Sequence, residues 1–211
     1  MVRFLILRHG LSEGNVKGVF SGHEDVALSR SGQMQAQDAA DYILKNYKVN
    51  AIYSSDLRRA VSTVTPVSER LGIPIVTDTA FREIDTGIWC GVKVEEVERL
   101  YPDEFKAYKS WDEHAVLGRK ESFYDVKMRV KKALENLVEK HEGQTVLIGA
   151  HGGVVYCLGA LYSGRTFREL RLEGKIANAS LTVIEFCSGV GKVVEFAKSD
   201  YLKEYEEKSN I

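Results

Sequence analysis

Two histidines stand where short apolar runs stop. Phe4-Leu5-Ile6-Leu7 ends at Arg8-His9-Gly10, and Thr145 to Gly149 ends at Ala150-His151-Gly152-Gly153. A neutral imidazole can serve as nucleophile, base or acid, while arginine brings a permanent charge and a planar fork that holds two phosphate oxygens. Glycine beside each histidine permits a positive φ or a close backbone approach to a ligand. An anion is the natural guest. One histidine after a strand is as a rule a hydrogen-bonded structural residue. Two of them, one joined to Arg8 and each followed by glycine, favour chemistry.

Weaker candidates surround this pair. Ser54-Ser55-Asp56-Leu57-Arg58-Arg59-Ala60 runs a third strand end into a helix whose N-terminus attracts anions. Arg58 and Arg59 are adjacent and diverge on a helix, so only one would enter a pocket. Taken alone, both read as solvated charges. Phe81-Arg82-Glu83-Ile84-Asp85 puts two acids in a loop, where carboxylates are usually just solvated, although one beside a bound phosphate could act as general acid. His23 and His114 read as residues of solvated loops, and His141 as the end of a helix. Phe105, Tyr108, Trp89 and Trp111 would build either an apolar lid or a small satellite core. Other nucleotide and phosphate chemistries lack their residues. If Cys157 were the nucleophile of a C-x5-R loop, position 163 would be Arg, and it is Ser163. Neither Gly174-Lys175 nor Gly191-Lys192 is followed by Ser or Thr, as a P-loop needs.

The elements that must position these residues alternate between strand and helix. Phe4 to Leu7, Ala51 to Ser54, Ile73 to Val76 and Thr145 to Gly149 read as short strands. Behind Ser29 as N-cap, Gly32 to Tyr47 sets Ala36, Ala39, Ala40, Ile43 and Leu44 on one helical face. A helix from Asp56 through Val67 should be kinked or interrupted at Pro66. Ser122 to His141 is the clearest amphipathic helix, and Val154 to Leu161 reads as a buried one. Leu181 to Phe186 and Lys192 to Phe196 read as paired strands. The segment from 93 to 117 is helical near Val94 to Leu100 and irregular beyond, and Lys198 to Lys208 reads as a solvated terminal helix. The pattern predicts an α/β fold, a three-layer αβα sandwich with a mainly parallel central sheet, in which ligands bind beyond the carboxyl ends of the strands. The whole chain, 1–211, reads as one domain with residues about 92–121 as a lid or insertion.

With 211 residues, 44% hydrophobic and 28% charged, the chain has the composition of an ordinary globular protein. Its 29 Lys plus Arg against 30 Asp plus Glu give a net charge of -1, which argues against nucleic acid or an anionic membrane as partner. No apolar run reaches the roughly 18 to 20 residues of a membrane span, and Arg3 interrupts the only N-terminal run, so neither a span nor a signal peptide is expected. Cys90, Cys157 and Cys187 form no close pair and read as reduced thiols of a cytoplasmic protein. The sequon Asn178-Ala179-Ser180 would then go unmodified.

Six ordered motifs together resemble the histidine phosphatase superfamily, the phosphoglycerate mutase-like family, over most of the chain. They are Leu7-Arg8-His9-Gly10 with Ser12 and Asn15; Gly22, Asp25, Leu28, Ser29 and Gly32; Ser54-Ser55-x-Leu57-x-Arg59-Ala60; Glu83, Gly87, Trp89 and Gly91; His151-Gly152-Gly153; and Asn178-Ala179-Ser180. The resemblance implies a metal-independent phosphomonoesterase acting on a small phosphorylated metabolite. His9 would carry a phosphohistidine, and Arg8, Arg59 and His151 would hold the phosphoryl oxygens. Asn15, Ser21, Gly22 and Gly152 would make further phosphate or substrate contacts, and Glu83 would be the general acid. Two arginines and a protonatable histidine would supply the charge, so no metal or other cofactor is expected. The chain would act as monomer or homodimer.

The sequence departs from the family in two places. Leu11-Ser12 replaces Glu-Thr or Glu-Ser after the first glycine, and Gly118-Arg119-Lys120 replaces Pro-Gly-Gly before Glu121-Ser122. The family's mutases, which need 2,3-bisphosphoglycerate as cofactor, usually have His-Gly-Asn and an Arg-Arg pair. Here stand His151-Gly152-Gly153 and Lys109-Ser110, which favours the phosphatase branch over the mutase. A module that only binds a phosphorylated ligand is disfavoured because every expected catalytic residue is present.

Overall fold

The first apolar run becomes a strand covered on both sides, because Phe4 and Ile6 face one layer of helices while Leu5 and Leu7 face another, all four fully buried. The computed structural model describes residues 1–210. In chain order the strands are β1 (Val2–Arg8), β2 (Ala51–Ser54), β3 (Ile75–Thr77), β4 (Val116–Leu117), β5 (Glu121–Ser122), β6 (Thr145–Ala150), β7 (Leu181–Cys187) and β8 (Val190–Lys198). The helices are α1 (Glu13–Lys17), α2 (Arg30–Asn46), α3 (Arg58–Leu71), α4 (Val94–Leu100), α5 (Pro102–Lys109), α6 (Phe123–Lys140), α7 (Gly152–Tyr162) and α8 (Phe167–Leu172).

Six strands form one sheet in the order β3-β2-β6-β1-β7-β8, with β4 and β5 pairing separately. β3, β2, β6 and β1 run parallel to one another, and β7 pairs antiparallel with both β1 and β8. α2 and α3 cover one face through Ala39, Ala40, Ile43, Val64 and Val67. α6 and α7 cover the other through Val126, Val130, Leu134, Val154 and Leu158. The expected mainly parallel αβα sandwich is therefore present. No helix among the described residues is long and apolar enough to cross a membrane.

Local expectations hold where the pattern is strong. Ser29 caps α2 by accepting the Gly32 N–H at 3.1 Å, and Ser122 opens α6 with a reciprocal capping box to Asp125. Three expectations fail. The interruption at Pro66 is absent: α3 runs from Arg58 to Leu71 in one piece, because the proline lies on its buried face among Val64 and Val67, where sheet packing outweighs the lost backbone donor. The stretch after Leu100 is not irregular: Pro102 starts α5, where its missing N–H and fixed φ are suited to a first turn, and β4 and β5 follow.

The third failure is the terminal segment, which forms no helix. Residues 199–210 are drawn out along α1 and α2 by specific hydrogen bonds. Asp38, 7% exposed, accepts from the Lys203 N–H at 3.0 Å and from Tyr205 Oη, and pairs with Lys203 Nζ at 3.1 Å. Burial opposes ionisation of Asp38, yet these donors outweigh it and hold the carboxyl below its usual range. Farther on, Glu207 accepts from the Ser31 N–H and Asn210 donates to the Asn15 carbonyl.

Candidate active site

Parallel pairing sets the two histidines side by side. In the β1–β6 register Arg8 lies opposite Ala150, so the next residue on each strand, His9 and His151, leaves the sheet at the same level. Their ring centres are 5.1 Å apart, with His9 4% exposed and His151 fully buried.

The His9 tautomer follows from its partner. Nδ1 lies 2.7 Å from the Gly10 carbonyl oxygen, which can only accept, so Nδ1 carries the proton and Nε2 keeps its lone pair. That carbonyl is itself held: Asn178 Nδ2 donates to the His9 and Gly10 oxygens at 3.2 and 3.4 Å and to Asn15 Oδ1 at 3.1 Å. The Gly10 N–H donates to Thr63 Oγ1 at 3.0 Å, and that hydroxyl donates to the Arg59 carbonyl at 2.7 Å, tying the end of β1 to α3. Burial, then the charges of Arg59 and Arg8, push the His9 pKa well below its ordinary value. Burial and Arg59 do the same to His151. Both rings are neutral at pH 7 in the free protein.

Of the adjacent arginines one is inside, as expected. Arg59 is 1% exposed and donates to the carbonyls of Gly22 and Glu24 at 2.8 and 2.7 Å, while Arg58 stays exposed against Asp25. Arg8 donates to the Ile176 carbonyl. Desolvation lowers the pKa of both guanidiniums, and Glu83 is the foremost influence opposing it. Glu83 accepts the Gly153 N–H at 3.1 and 3.2 Å and the Ile84 N–H at 3.0 Å. His23, apart from the cleft, fastens the same loop through the Glu83 carbonyl at 2.8 Å. His151 Nε2 meets Ser55 Oγ at 2.9 Å, whereas His151 Nδ1, Arg8 Nε and Ser21 Oγ are buried without a partner in the protein.

The glycines serve close approach rather than positive φ. Neither Gly10 nor Gly152 nor Gly153 has a left-handed backbone. A Cβ on Gly10 would sit 2.5 Å from the Gly32 carbonyl oxygen, and one on Gly153 would collide with the Glu83 carboxylate. Gly22 does need its φ of 44°.

Most of the expected site residues open on one cleft of about 690 Å³ beyond the carboxyl ends of β1 and β6. Arg8, His9, Asn15, Ser21, Gly22, Arg59, Glu83 and Gly152 line it; His151 is not in the lining, its ring centre lying 5.1 Å from that of His9. The aromatic group divides: Trp89 is fully buried as core, while Phe105, Tyr108 and Trp111 reach the cleft wall. Sequence reasoning missed two supports. Thr63 carries no motif signal at all, and Asn178 stands in a quoted motif without an assigned task. The arrangement combines a fixed neutral nucleophile, two arginine cations, unpartnered donors and one nearby carboxylate, which suits transfer of an oxyanionic group.

Residues 4–199 match the histidine phosphatase superfamily (branch 1). Phosphoglycerate mutase-like protein 4 of Arabidopsis thaliana is 32% identical over 187 residues, 88% of this chain and 80% of its own. Phosphoserine phosphatase 1 of Hydrogenobacter thermophilus is 33% identical over 72% of this chain and 71% of its own. Among solved structures, Bacillus stearothermophilus YhfR superposes with a TM-score of 0.90 at 29% identity, covering 96% of this chain and 100% of that one. A mycobacterial glucosyl-3-phosphoglycerate phosphatase gives 0.84 at 30% identity, covering 93% and 99%. With its motifs gathered at the ends of β1 and β6 and its length matched almost throughout, this chain belongs to the histidine phosphatase superfamily.

Proposed function

We propose that the chain hydrolyses small phosphomonoesters through a phosphohistidine on His9. The observation that carries this reading is the Nδ1 hydrogen bond to Gly10, which fixes a neutral ring and leaves the Nε2 lone pair available in the field of Arg59 and Arg8. Nε2 attacks phosphorus as the ester P–O bond breaks, and Glu83 gives its proton to the departing oxygen. Water then returns a proton to the Glu83 carboxylate and attacks phosphorus, the P–N bond breaks, and inorganic phosphate leaves. Arg8 and Arg59 stabilise the equatorial oxygens throughout, and Asn15, Ser21, Gly22 and Gly152 shape the rest of the phosphate end. His151 is neutral in the free protein, and a bound dianion opposes the field of the arginines and favours its protonated, donating form.

The phosphatase activities named for relatives support hydrolysis over mutase transfer. Exposed free Cys90 and Cys187 suit a reducing, cytoplasmic setting, and residues 92–121 are read as the lid that selects the substrate. The test is rapid-quench turnover of a phosphomonoester. One equivalent of acid-labile phosphoenzyme should form, and His9→Ala should abolish both label and phosphate release. Full turnover by His9→Ala would remove this mechanism. Isomerisation dependent on 2,3-bisphosphoglycerate with negligible phosphate release would replace hydrolysis by the mutase reaction.

A further inference from the structure

Past the phosphate end, the cleft holds a cation that forms no ion pair with a carboxylate among the described residues. Arg171 of α8 lines the cleft, its guanidinium carbon 3.9 Å from the centre of the Trp111 ring and 4.4 Å from that of Tyr156. Other partly buried arginines are matched with carboxylates: Arg82 with Asp56, Arg129 with Glu121, Arg165 with Glu173. Among the described residues the hydrogen-bond partner of Arg171 is Tyr108 Oη, 3.4 Å from its Nη2, and its Nε is buried without a partner.

The surroundings are built to hold this group. Trp111 has a φ of 58°, a left-handed conformation that a bulky residue adopts only under constraint, and its indole covers one face of the guanidinium. Tyr156 lies against the same group. Its hydroxyl donates to the Gly174 carbonyl at 2.6 Å and accepts the Ile176 N–H at 3.2 Å, and the Ile176 carbonyl receives Arg8. The wall beside Arg171 is thus one residue from the phosphate arginine, and the charge of Arg171 is felt at Arg8. Lys109, 6.0 Å from the Trp111 ring centre, adds positive charge to the same cleft.

Stacking covers the faces of the Arg171 guanidinium and leaves its in-plane N–H groups, of which Nη2 makes one long contact to Tyr108 Oη, as the fork that receives an oxyanion by two parallel hydrogen bonds. We infer that Arg171 is a specificity-determining residue, gripping a second oxyanion carried by the leaving group while Arg8 and Arg59 hold the phosphoryl group. Trp111 and Tyr156 act as positioning residues. The inference rests on the phosphatase reading and deepens it: preferred substrates are phosphomonoesters with a carboxylate or a second phosphate.

Matched substrate pairs test it on the intact chain. Phosphoserine is compared with phosphoethanolamine, 3-phosphoglycerate with glycerol 3-phosphate, and fructose 1,6-bisphosphate with fructose 6-phosphate. In at least one pair the member with the extra anion should be favoured about 10- to 100-fold in kcat/KM, chiefly through KM, the range of a charge-assisted contact. R171M should bring that ratio close to one, and R171K, which keeps charge but loses the fork, should fall between. Ratios near one in all three pairs, or a ratio that survives R171M while both members slow together, would overturn the inference. His9-dependent hydrolysis of p-nitrophenyl phosphate reports separately on the phosphatase reading. Should that fail, the same ratios measured as dissociation constants on His9→Ala protein by calorimetry decide the Arg171 contact by themselves.

Discussion

Acid should unfold this protein through its own active site. His9 and His151 are buried, and burial together with the arginine charges holds both pKa values well below 6.5. In the unfolded chain each returns to about 6.5. Below that pH the unfolded state binds protons that the native state refuses, so the free energy of unfolding falls as pH falls through 6.5 and is regained above it. Between pH 7.5 and 5.5 the unfolded-state uptake is worth about 1.4 kcal/mol per histidine, hence about 2.7 kcal/mol for the pair while both native rings stay neutral. With a urea slope of about 2–3 kcal/mol/M for a domain of this size, the midpoint moves by about 1 M. Urea unfolding at both pH values, on the wild type and on a His9→Gln/His151→Gln variant that cannot titrate there, isolates this contribution from that of the carboxylates. The wild type should lose about 2.7 kcal/mol more than the variant. Parallel losses would show that these rings titrate in the folded protein as they do in water, and the case for a permanently neutral His9 would collapse.

Three other outcomes follow from the geometry. Glu83→Gln should slow alkyl phosphates by about 10²- to 10⁴-fold but affect p-nitrophenyl phosphate much less, since that leaving group departs without a proton. Gly153→Ala, which drives a methyl into the Glu83 carboxylate, should show the same leaving-group dependence in kcat, and equal losses on both substrates would remove the acid role from Glu83. Asp38→Asn weakens the hold on Lys203 and Tyr205, and should cost about 1–3 kcal/mol and speed proteolytic cleavage within residues 199–210. A cleavage pattern unchanged by mass spectrometry would show that Asp38 does not anchor the segment.

What could be read from the sequence was local. Continuous apolar runs gave the strands, the spacing of Val126, Val130, Leu134 and Leu137 gave α6, and the adjacency of Arg58 and Arg59 on a helix foretold that only one would turn inward. What could not be read depends on distant partners. Nothing near Tyr205 announces Asp38, 167 positions away, so a charged terminal stretch looks like a solvated helix until its acceptor is known. Thr63 is one of many threonines until the β1 turn lies against it, and Arg171 is an ordinary surface arginine until Trp111 and Tyr156 close on it. Pro66 was misjudged for a related reason: the cost of one missing donor is local, but the burial that offsets it comes from the sheet.

The β1–β6 register also has a kinetic meaning. These strands meet across some 140 residues, and a slip of one position would send the side chains of one strand to the opposite face. Hairpins such as β7–β8 and helices such as α6 can form from near neighbours, whereas this parallel pairing must close most of the chain first. During refolding, secondary structure therefore returns before catalysis. The enzyme's activity becomes a clock for its longest-range strand pairing, and a chain with full helical content but a misregistered β1 would be silent.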